Sequence, residues 1–332
     1  MTDLFPFNTL RVHARARRFI ELNSPQPLPP DEPLLFLGGG ANVLFTQDFP
    51  GTIAKINFSG IKVIKETATD ILVEAAAGQN WHELVMWSCD HDLWGLQNMA
   101  SIPGTVGAAA LGNIAAYGGN QEDVFESLTT QNNDIFTKKD CQFSYRESFF
   151  KKNKSYLISS VRYRLSKNPH PDTSYHDRYT SLAAELAKIA TPPYSAKDIS
   201  RAVINIRQSK LPNMDQVGTA GSFFKNPLIS KSFYLSLKSQ VSDLQWYPSE
   251  KLSYHHDSQI PDIVKIPAGR LLDELGWKGR TIGRVSTSPN QALYVINLGG
   301  ATGAEIYAYA EKMRLDIKKN FAIDLNYEIQ II

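Results

Sequence analysis

The sequence predicts an α+β protein of two or three domains. Three observations carry this. The chain has 332 residues, at roughly 100–200 residues per domain. Its apolar fraction of 42% is enough for real cores and excludes a disordered chain. Short apolar runs bounded by turn residues alternate with capped, amphipathic stretches, so strands and helices are mixed along the chain.

Leu34–Leu37 reads as a buried strand, and Gly38-Gly39-Gly40-Ala41-Asn42 follows at once, then Val43-Leu44-Phe45. Strand, glycine turn and apolar run have the shape of a loop whose bare amides converge on an anion. A tight hairpin explains the same residues. The dinucleotide fingerprint fails, because its third glycine would fall on Val43, and no GxxxxGK[ST] loop is present. Ile53–Ile56 and Ile71–Ala77 read as strands. Asn80 caps a helix, with Glu83 three residues on and Trp81, Leu84 and Val85 on one face.

Ile102–Gly118, IPGTVGAAALGNIAAYG, holds four glycines, five alanines and no charge. It shows neither helical nor strand periodicity. Glycine costs backbone entropy wherever it stands, so such a run implies close approach to main chain. A flat ligand lying on backbone satisfies that, and so does a crossing of two backbone segments.

Further on, Phe143–Lys151 sets Arg146 and Glu147 among aromatics, the pattern of a snorkelling surface pair. Asn168–Asp177, with Pro169 and Pro171, reads as a loop bearing Tyr175. Ser195 and Asp198 cap a helix with the stripe Ile199, Val203 and Ile206. Arg207 and Lys210 fall at its end, where cations favour the dipole, and Leu211-Pro212 closes it at a domain boundary. Ser222 lies in GTAGSFFKNP, but Ala220 and Phe224 stand where a nucleophile elbow needs glycine, which argues against a serine hydrolase; His255 and His256 supply no motif. Ile266–Gly279 reads as a helix ended by Gly276, and Ala292–Leu298 as a strand. Thr302 and Glu305 form a capping box for a helix with the stripe Ile306, Ala310, Met313 and Ile317. Leu325–Ile332 alternates as a strand, with Glu328 on its polar face.

The net charge of +2 gives no reason to expect a nucleic-acid surface. The one basic cluster, Arg11, Arg15, Arg17 and Arg18, reads as a solvated helix face or, more sharply, a targeting peptide, against which Asp3 weighs. No apolar run approaches the length of a membrane span. Cys89 and Cys141 fit neither a disulfide framework nor a metal motif, consistent with a reducing compartment.

Several separated pieces coincide with one family. LGGGANVLF, IPGTVGAAALGNIAAYG, SYRES, GTAGSFFKNP, IPAGRLLDELGWKG, QALYVINLGGATG and the Leu325–Ile332 strand, with Asn8-Thr9 near the start, run in order over nearly the whole chain. Together they resemble the UDP-N-acetylenolpyruvoylglucosamine reductases (MurB), bacterial flavoenzymes of peptidoglycan synthesis. The loop bearing Tyr175 looks like the insertion of the type I members.

The resemblance implies an FAD-binding fold of the vanillyl-alcohol-oxidase/p-cresol-methylhydroxylase type, with two α+β FAD-binding subdomains and a C-terminal α+β substrate-binding domain. The corresponding ranges are 1–60, 61–211 with 321–332 returning to it, and 212–320. The arginines then belong to the folded flavin domain. FAD is implied on Gly38, Gly39, Gly40, Ala41, Asn42, Val43 and Leu44, on Ile102, Pro103, Gly104, Gly107, Ala108, Asn113 and Gly118, and on Arg207. The matching catalytic residues are Arg146, Ser222 and Glu328. Hydride passes from NADPH to FAD and then to the enolpyruvyl carbon; Arg146 and a protonated or paired Glu328 stabilise the enolate-like charge, and Ser222 protonates the neighbouring carbon. Tyr175, Lys210 and Asn226 match positions that contact the UDP-sugar, with Tyr117 and Gln291 as further contributors. No metal is implied. The chain departs from many relatives at Ala41, at Ala108–Ala110 and at Gln330, where serines, Ser-Ser or Gly-Ala-Pro, and an arginine are common. A bacterial cytoplasmic monomer with no nucleic-acid or membrane partner is expected. Another flavoprotein of the same fold and a non-catalytic nucleotide-sugar binding module are the competing readings, the latter excluded by bound flavin.

Overall fold

A computed structural model describes residues 1–26, 28, 33–176, 181–214, 216–248 and 262–332. His255 and His256, and Asp177 at the end of the Tyr175 loop, lie outside the described residues. The chain divides into two compact units. The first gathers residues 1–18, 40–50 and 210–332, and the second residues 19–39 and 51–209.

The second unit is built on a five-stranded antiparallel sheet. Its order is Ile135–Thr137, Phe125–Thr130, Ile158–Ser166, Asp70–Ala76 and Ile61–Glu66. Trp81, Phe125, Phe143 and Tyr163 are buried in its core, with Phe125 edge-on to both Phe143 and Tyr163. The helix Trp81–Asp90 begins where Asn80 and Glu83 predict, the Asn80 side chain accepting the Glu83 amide. The strand Leu34–Leu37 pairs in parallel with Thr52–Lys55 and delivers Gly38 and Gly39. Ser195 and Asp198 cap the helix Ala196–Lys210 as expected, its buried stripe including Ile199, Val203 and Ile206.

One expectation fails inside this unit. Val106–Gly112 is a helix, although the run shows no apolar stripe. A stripe needs polar residues on the wet face; here the exposed Ala108 is as apolar as the buried Val106, Ala109 and Ala110. The helix lies on the strands Ile158–Ser166 and Asp70–Ala76. Gly107 makes the approach possible: its amide donates to the Ala77 carbonyl at 2.8 Å, and a Cβ on it would stand 2.8 Å from the Ala77 Cβ. The crossing of backbone on backbone is therefore present in part of the run.

The first unit holds a four-stranded antiparallel sheet, Gly218–Ser222, Tyr294–Asn297, Val285–Thr287 and Thr281–Ile282, and a three-stranded one, Leu228–Ser230, Ile263–Lys265 and Tyr247–Pro248. The helix Gly303–Phe321 rests on Val285–Thr287 and Tyr294–Asn297. It buries Ile306, Ala310, Met313 and Ile317, and both halves of the Thr302–Glu305 capping box form. Thr302→Ala is expected to cost about 1 kcal/mol of stability, read as a lowered urea midpoint with unchanged slope.

Three expectations are corrected here. Arg15, Arg17 and Arg18 lie on a strand, Arg15–Leu22, rather than on a helix face. Ala14 and Ala16 point inward between the exposed His13, Arg15 and Arg17, a period of two. Arg11 is tied down as well, its guanidinium donating to the Met214 carbonyl at 2.6 Å. The helix expected over Ile266–Gly279 is confined to Ala268–Glu274: Pro267 caps its start, and Gly276, at φ +70°, turns the chain out of it. The strand expected over Leu325–Ile332 reduces to a bridge at Tyr327 and a ladder at Gln330–Ile331, separated by a bend. That ladder runs parallel to Val43–Leu44, not to a strand within 61–211, because the Asn42 and Leu44 carbonyls accept the Gln330 and Ile332 amides.

Candidate active site

In the second unit, two glycine segments meet. A Cβ on Gly39 would stand 2.8 Å from the Gly104 Cα, and one on Gly38 would stand 2.5 Å from the Thr105 hydroxyl oxygen and 3.5 Å from the Ala108 Cβ. Only bare backbone fits. Gly104 itself has φ +116°, and a Cβ built on it meets nothing within 4 Å. Among the described residues, the amides of Gly38 and Gly39 donate to no protein group. The Thr105 Oγ1 is buried without a hydrogen-bond partner, and so is the Arg207 Nε on the helix Ala196–Lys210. Bare amides, a hydroxyl and a guanidinium form a donor-rich set of the kind that holds a phosphate-bearing cofactor.

His82 braces this loop. The Ser101 amide donates to its Nδ1 at 3.0 Å, which leaves Nε2 as the protonated nitrogen. Ser101 sits at φ +61°, so this bond holds strained backbone just before Ile102, Pro103 and Gly104. Burial, then the nearby Arg207 charge, pull the imidazole pKa below its usual 6.5, against Glu83. On acidification the unfolded chain takes up this proton first, so the contribution to stability is present above 6.5 and is lost as pH falls through the lowered folded value. His82→Asn keeps an acceptor near the same place but does not titrate. Urea titrations between about pH 5 and 7 are expected to give a flatter pH dependence for this variant; superposable slopes would dismiss the latch.

Asn113 ends the Val106–Gly112 helix in the left-handed region, at φ +42°. Its side chain donates to Glu122 at 2.8 Å and to the Ser144 carbonyl at 2.9 Å, and accepts from Gln121 at 3.0 Å. Burial raises the Glu122 pKa, opposed first by the Asn113 bond. Arg146, at φ +58°, donates to the Asn113 carbonyl at 3.4 Å and to the Ala115 carbonyl at 3.0 Å. The Arg146 guanidinium is thus tied to main chain, and Glu147 lies 3.7 Å from the Lys151 ammonium.

Ala115–Ala116 and Gly119–Asn120 form a hairpin whose two turn residues, Tyr117 and Gly118, have φ +50° and +89°, the signs a type I′ turn requires. The Asn98 side chain donates to the Tyr117 carbonyl at 2.7 Å and to the Asp172 carbonyl at 3.0 Å, joining this turn to the loop of Tyr175. The Tyr117 and Tyr175 rings meet edge to face at 5.1 Å. Arg146, Tyr117 and Tyr175 thus converge on one hairpin.

In the first unit, Gly40 has φ +64°, and a Cβ on it would stand 2.0 Å from the Phe7 carbonyl oxygen. The Thr9 amide donates to the Gly40 carbonyl at 3.0 Å. Asn42 donates from its side chain to the Glu328 carbonyl at 3.2 Å, and Val43 and Leu44 pair with Gln330 and Ile331. Ser222 ends its strand just after Gly221, at φ +75°, where the ladder to Tyr294 shifts register. Such a bulge re-aims the side chain that follows it. The Glu328 amide donates to the Phe223 carbonyl at 3.0 Å, and the Lys225 amide to the Asn326 carbonyl at 2.8 Å. Ser222 and Glu328 therefore sit on two segments held in one backbone frame. The Asn226 side chain accepts the Ala268 amide at 3.0 Å, and the Gln291 side-chain Oε1 would stand 2.5 Å from a Cβ on Gly269, so these two meet at one helix. Lys210 stands half-buried at the end of its helix. The thiols are not nucleophiles: burial raises the Cys89 pKa and pushes that of Cys141 up to about 12.

Sequence reasoning missed His82, the Asn113–Glu122–Gln121 network and the hairpin. The Tyr-Gly turn lacks the Asn-Gly signature that would have announced the hairpin, and a lone His or Glu carries no signature at all.

The fold and the glycine cradle define an FAD-binding protein. Residues 30–134 match the FAD binding domain family, and residues 212–332 match the family described as UDP-N-acetylenolpyruvoylglucosamine reductase, C-terminal domain. A UDP-N-acetylenolpyruvoylglucosamine reductase from Flavobacterium johnsoniae is 37% identical, covering 98% of this chain and 97% of its own. One from Burkholderia ambifaria is 40% identical over 89% and 83%. The crystal structure of the Thermus caldophilus reductase shares the fold at a TM-score of 0.65 and 18% identity, over 99% and 97% of the two chains. The chain belongs to the UDP-N-acetylenolpyruvoylglucosamine reductase family. The expected α+β FAD-binding fold with a further α+β region is thereby borne out.

Proposed function

We propose that this chain reduces the enolpyruvyl group of UDP-N-acetylenolpyruvoylglucosamine with NADPH, giving UDP-N-acetylmuramate for peptidoglycan synthesis. The likeness to named reductases over nearly the full length is the observation that carries this reading. Bound FAD supplies the relay, taking hydride from NADPH and releasing it to the terminal carbon of the substrate's double bond. Gly38–Leu44, Ile102–Gly104, Gly107, Ala108, Asn113, Gly118 and Arg207 hold it; the bare amides and the buried, unpartnered Thr105 and Arg207 atoms support that assignment.

When hydride arrives at the terminal carbon, the electron pair of the double bond moves toward the substrate carboxylate. Arg146 and Glu328 stabilise the enolate-like charge, and Ser222 gives its proton to the neighbouring carbon. Arg146 suits this role because two carbonyls fix its guanidinium before substrate binds. Tyr117, Tyr175, Lys210, Asn226 and Gln291 bind the UDP-sugar. We place the protein in the bacterial cytoplasm as a monomer, serving cell-wall synthesis and through it cell shape and division. Among the described residues no helix is long and apolar enough to cross a membrane.

The test is an anaerobic two-step experiment. NADPH should bleach the yellow flavin bands, and the enolpyruvyl substrate should restore them. Failure of that substrate to restore the bands, with restoration by another acceptor, would favour a different flavoenzyme of the same fold.

Tyr175 is expected to close over the sugar. Asn168–Tyr175 has no helix or strand, and it touches the hairpin through the Tyr117 ring and the Asn98 side chain. Hydrogen exchange should show added protection in this segment once the UDP-sugar is bound; unchanged exchange would remove the lid.

A further inference from the structure

Glu328 is preceded by Tyr327, whose surroundings are more elaborate than an exposed polar strand needs. The Tyr327 hydroxyl donates to Glu311 on the helix Gly303–Phe321. Glu311 is in turn held from both oxygens by Arg314, at 2.9 and 2.8 Å. Arg314 also bonds Asp324, which Lys318 grips at 2.8 Å. The Tyr327 ring stacks on Phe224, two residues after Ser222, with centroids 5.1 Å apart and planes at 28°. Tyr307 flanks its ring at 5.9 Å. The main chain repeats the link, Phe224 bridging Tyr327 antiparallel. One side chain thus joins a charged anchor on the long helix to the strand of Ser222.

We propose that Tyr327 is a positioning residue: its hydroxyl on Glu311 and its ring on Phe224 fix the Glu328 backbone against the strand that carries Ser222. This rests on the roles given above to Glu328 and Ser222. The register matters because two groups serve one transient charge. A displacement of about 1 Å at such a site costs up to 100-fold in rate without touching the reactants.

The test uses the FAD-loaded enzyme and follows both half-reactions by stopped flow. Tyr327→Phe keeps the stack and loses only the hydroxyl. It should reoxidise with the enolpyruvyl substrate about tenfold more slowly, with NADPH reduction and substrate Kd within about twofold of the parent. Glu311→Ala should match it, and the double variant should be no slower than either single one, since both remove the same contact. Glu311→Gln retains an acceptor for the hydroxyl and should recover most of the rate. Equal slowing of both half-reactions with a lowered melting temperature would show a merely structural contact and overturn the proposal. So would normal reoxidation in Tyr327→Phe while Glu328→Ala collapses. Normal reoxidation in Glu328→Ala would instead remove the role of Glu328 itself, and the positioning role with it.

Discussion

Ser222→Ala is expected to bind FAD and to be reduced by NADPH at close to the parental rate, while reoxidation by the enolpyruvyl substrate falls about 10² to 10⁴-fold. That is about 3–5 kcal/mol of barrier. The asymmetry follows from order: the proton is needed only once hydride has reached the substrate. A serine hydroxyl is a very weak acid, so it serves only beside a strongly basic enolate and a cation that steadies the alkoxide. The local backbone agrees, since Gly221 at φ +75° and the register shift between Thr219 and Ser222 re-aim Ser222 where it pairs with Tyr294. Had the serine only capped its turn, the variant would lose about 1 kcal/mol of stability and keep both half-reactions. Stopped-flow flavin absorbance, run once with NADPH and once from the reduced enzyme, separates the two. Normal reoxidation would leave the proton source unassigned.

The second large effect is on cofactor retention. Gly104→Leu should purify with little flavin, its FAD affinity lowered by at least about 100-fold. The comparison that gives this meaning is Gly104→Ala. Both variants force a side chain onto backbone at φ +116°, at about 1–2 kcal/mol. Beyond the chain neighbours, no described protein atom lies within 4 Å of the added Cβ, so the alanine variant carries the backbone strain without a clash. Any flavin lost beyond that of the alanine variant therefore measures space the ligand needs. Equal flavin content in Leu, Ala and parent would show that the loop is not against the cofactor.

What the sequence made legible, and what it hid, divides along physical lines. Caps were readable because their chemistry is local: Asn80 with Glu83, Ser195 with Asp198 and Thr302 with Glu305 all form the expected bonds. The glycines were readable as close approaches, and Gly39 against Gly104 and Gly107 against Ala77 are such approaches. Which of the two readings of Ile102–Gly118 applied was not readable, and both features share the run: a helix crossing the sheet at Gly107, and open space at Gly104. The Val106–Gly112 helix escaped because all its residues are apolar or glycine, so the exposed Ala108 does not contrast with its buried neighbours. The arginines read as a helix face because four cations dominate the stretch, whereas the period of two that marks a strand is carried by Ala14 and Ala16. Alternation puts Glu328 on a strand face, whereas it stands in a bend before the ladder at Gln330–Ile331. The supports of the site, His82 under Ser101 and Glu122 under Asn113, come from residues nine and nineteen positions away or less, yet carry no pattern that marks them.

The ladder between Val43–Leu44 and Gln330–Ile331 has a consequence for how the molecule is made. The Thr46 amide and hydroxyl both donate to the Ile332 carbonyl, a partner 286 positions later in the chain. At about 5–20 residues per second, Thr46 leaves the site of synthesis some tens of seconds before Ile332 exists. Residues 19–39 and 51–209 have all their members long before then, whereas residues 1–18 and 40–50 must wait for 210–332. During translation the interrupted unit is therefore the late one, and Gly40–Pro50 hangs as an unpaired excursion from a neighbour able to fold. A ribosome stalled anywhere between 210 and 329 would hold a chain in which every residue of the second unit, Gly38, Gly39 and Gly104 included, has been made while Val43–Leu44 still lacks its partner strand.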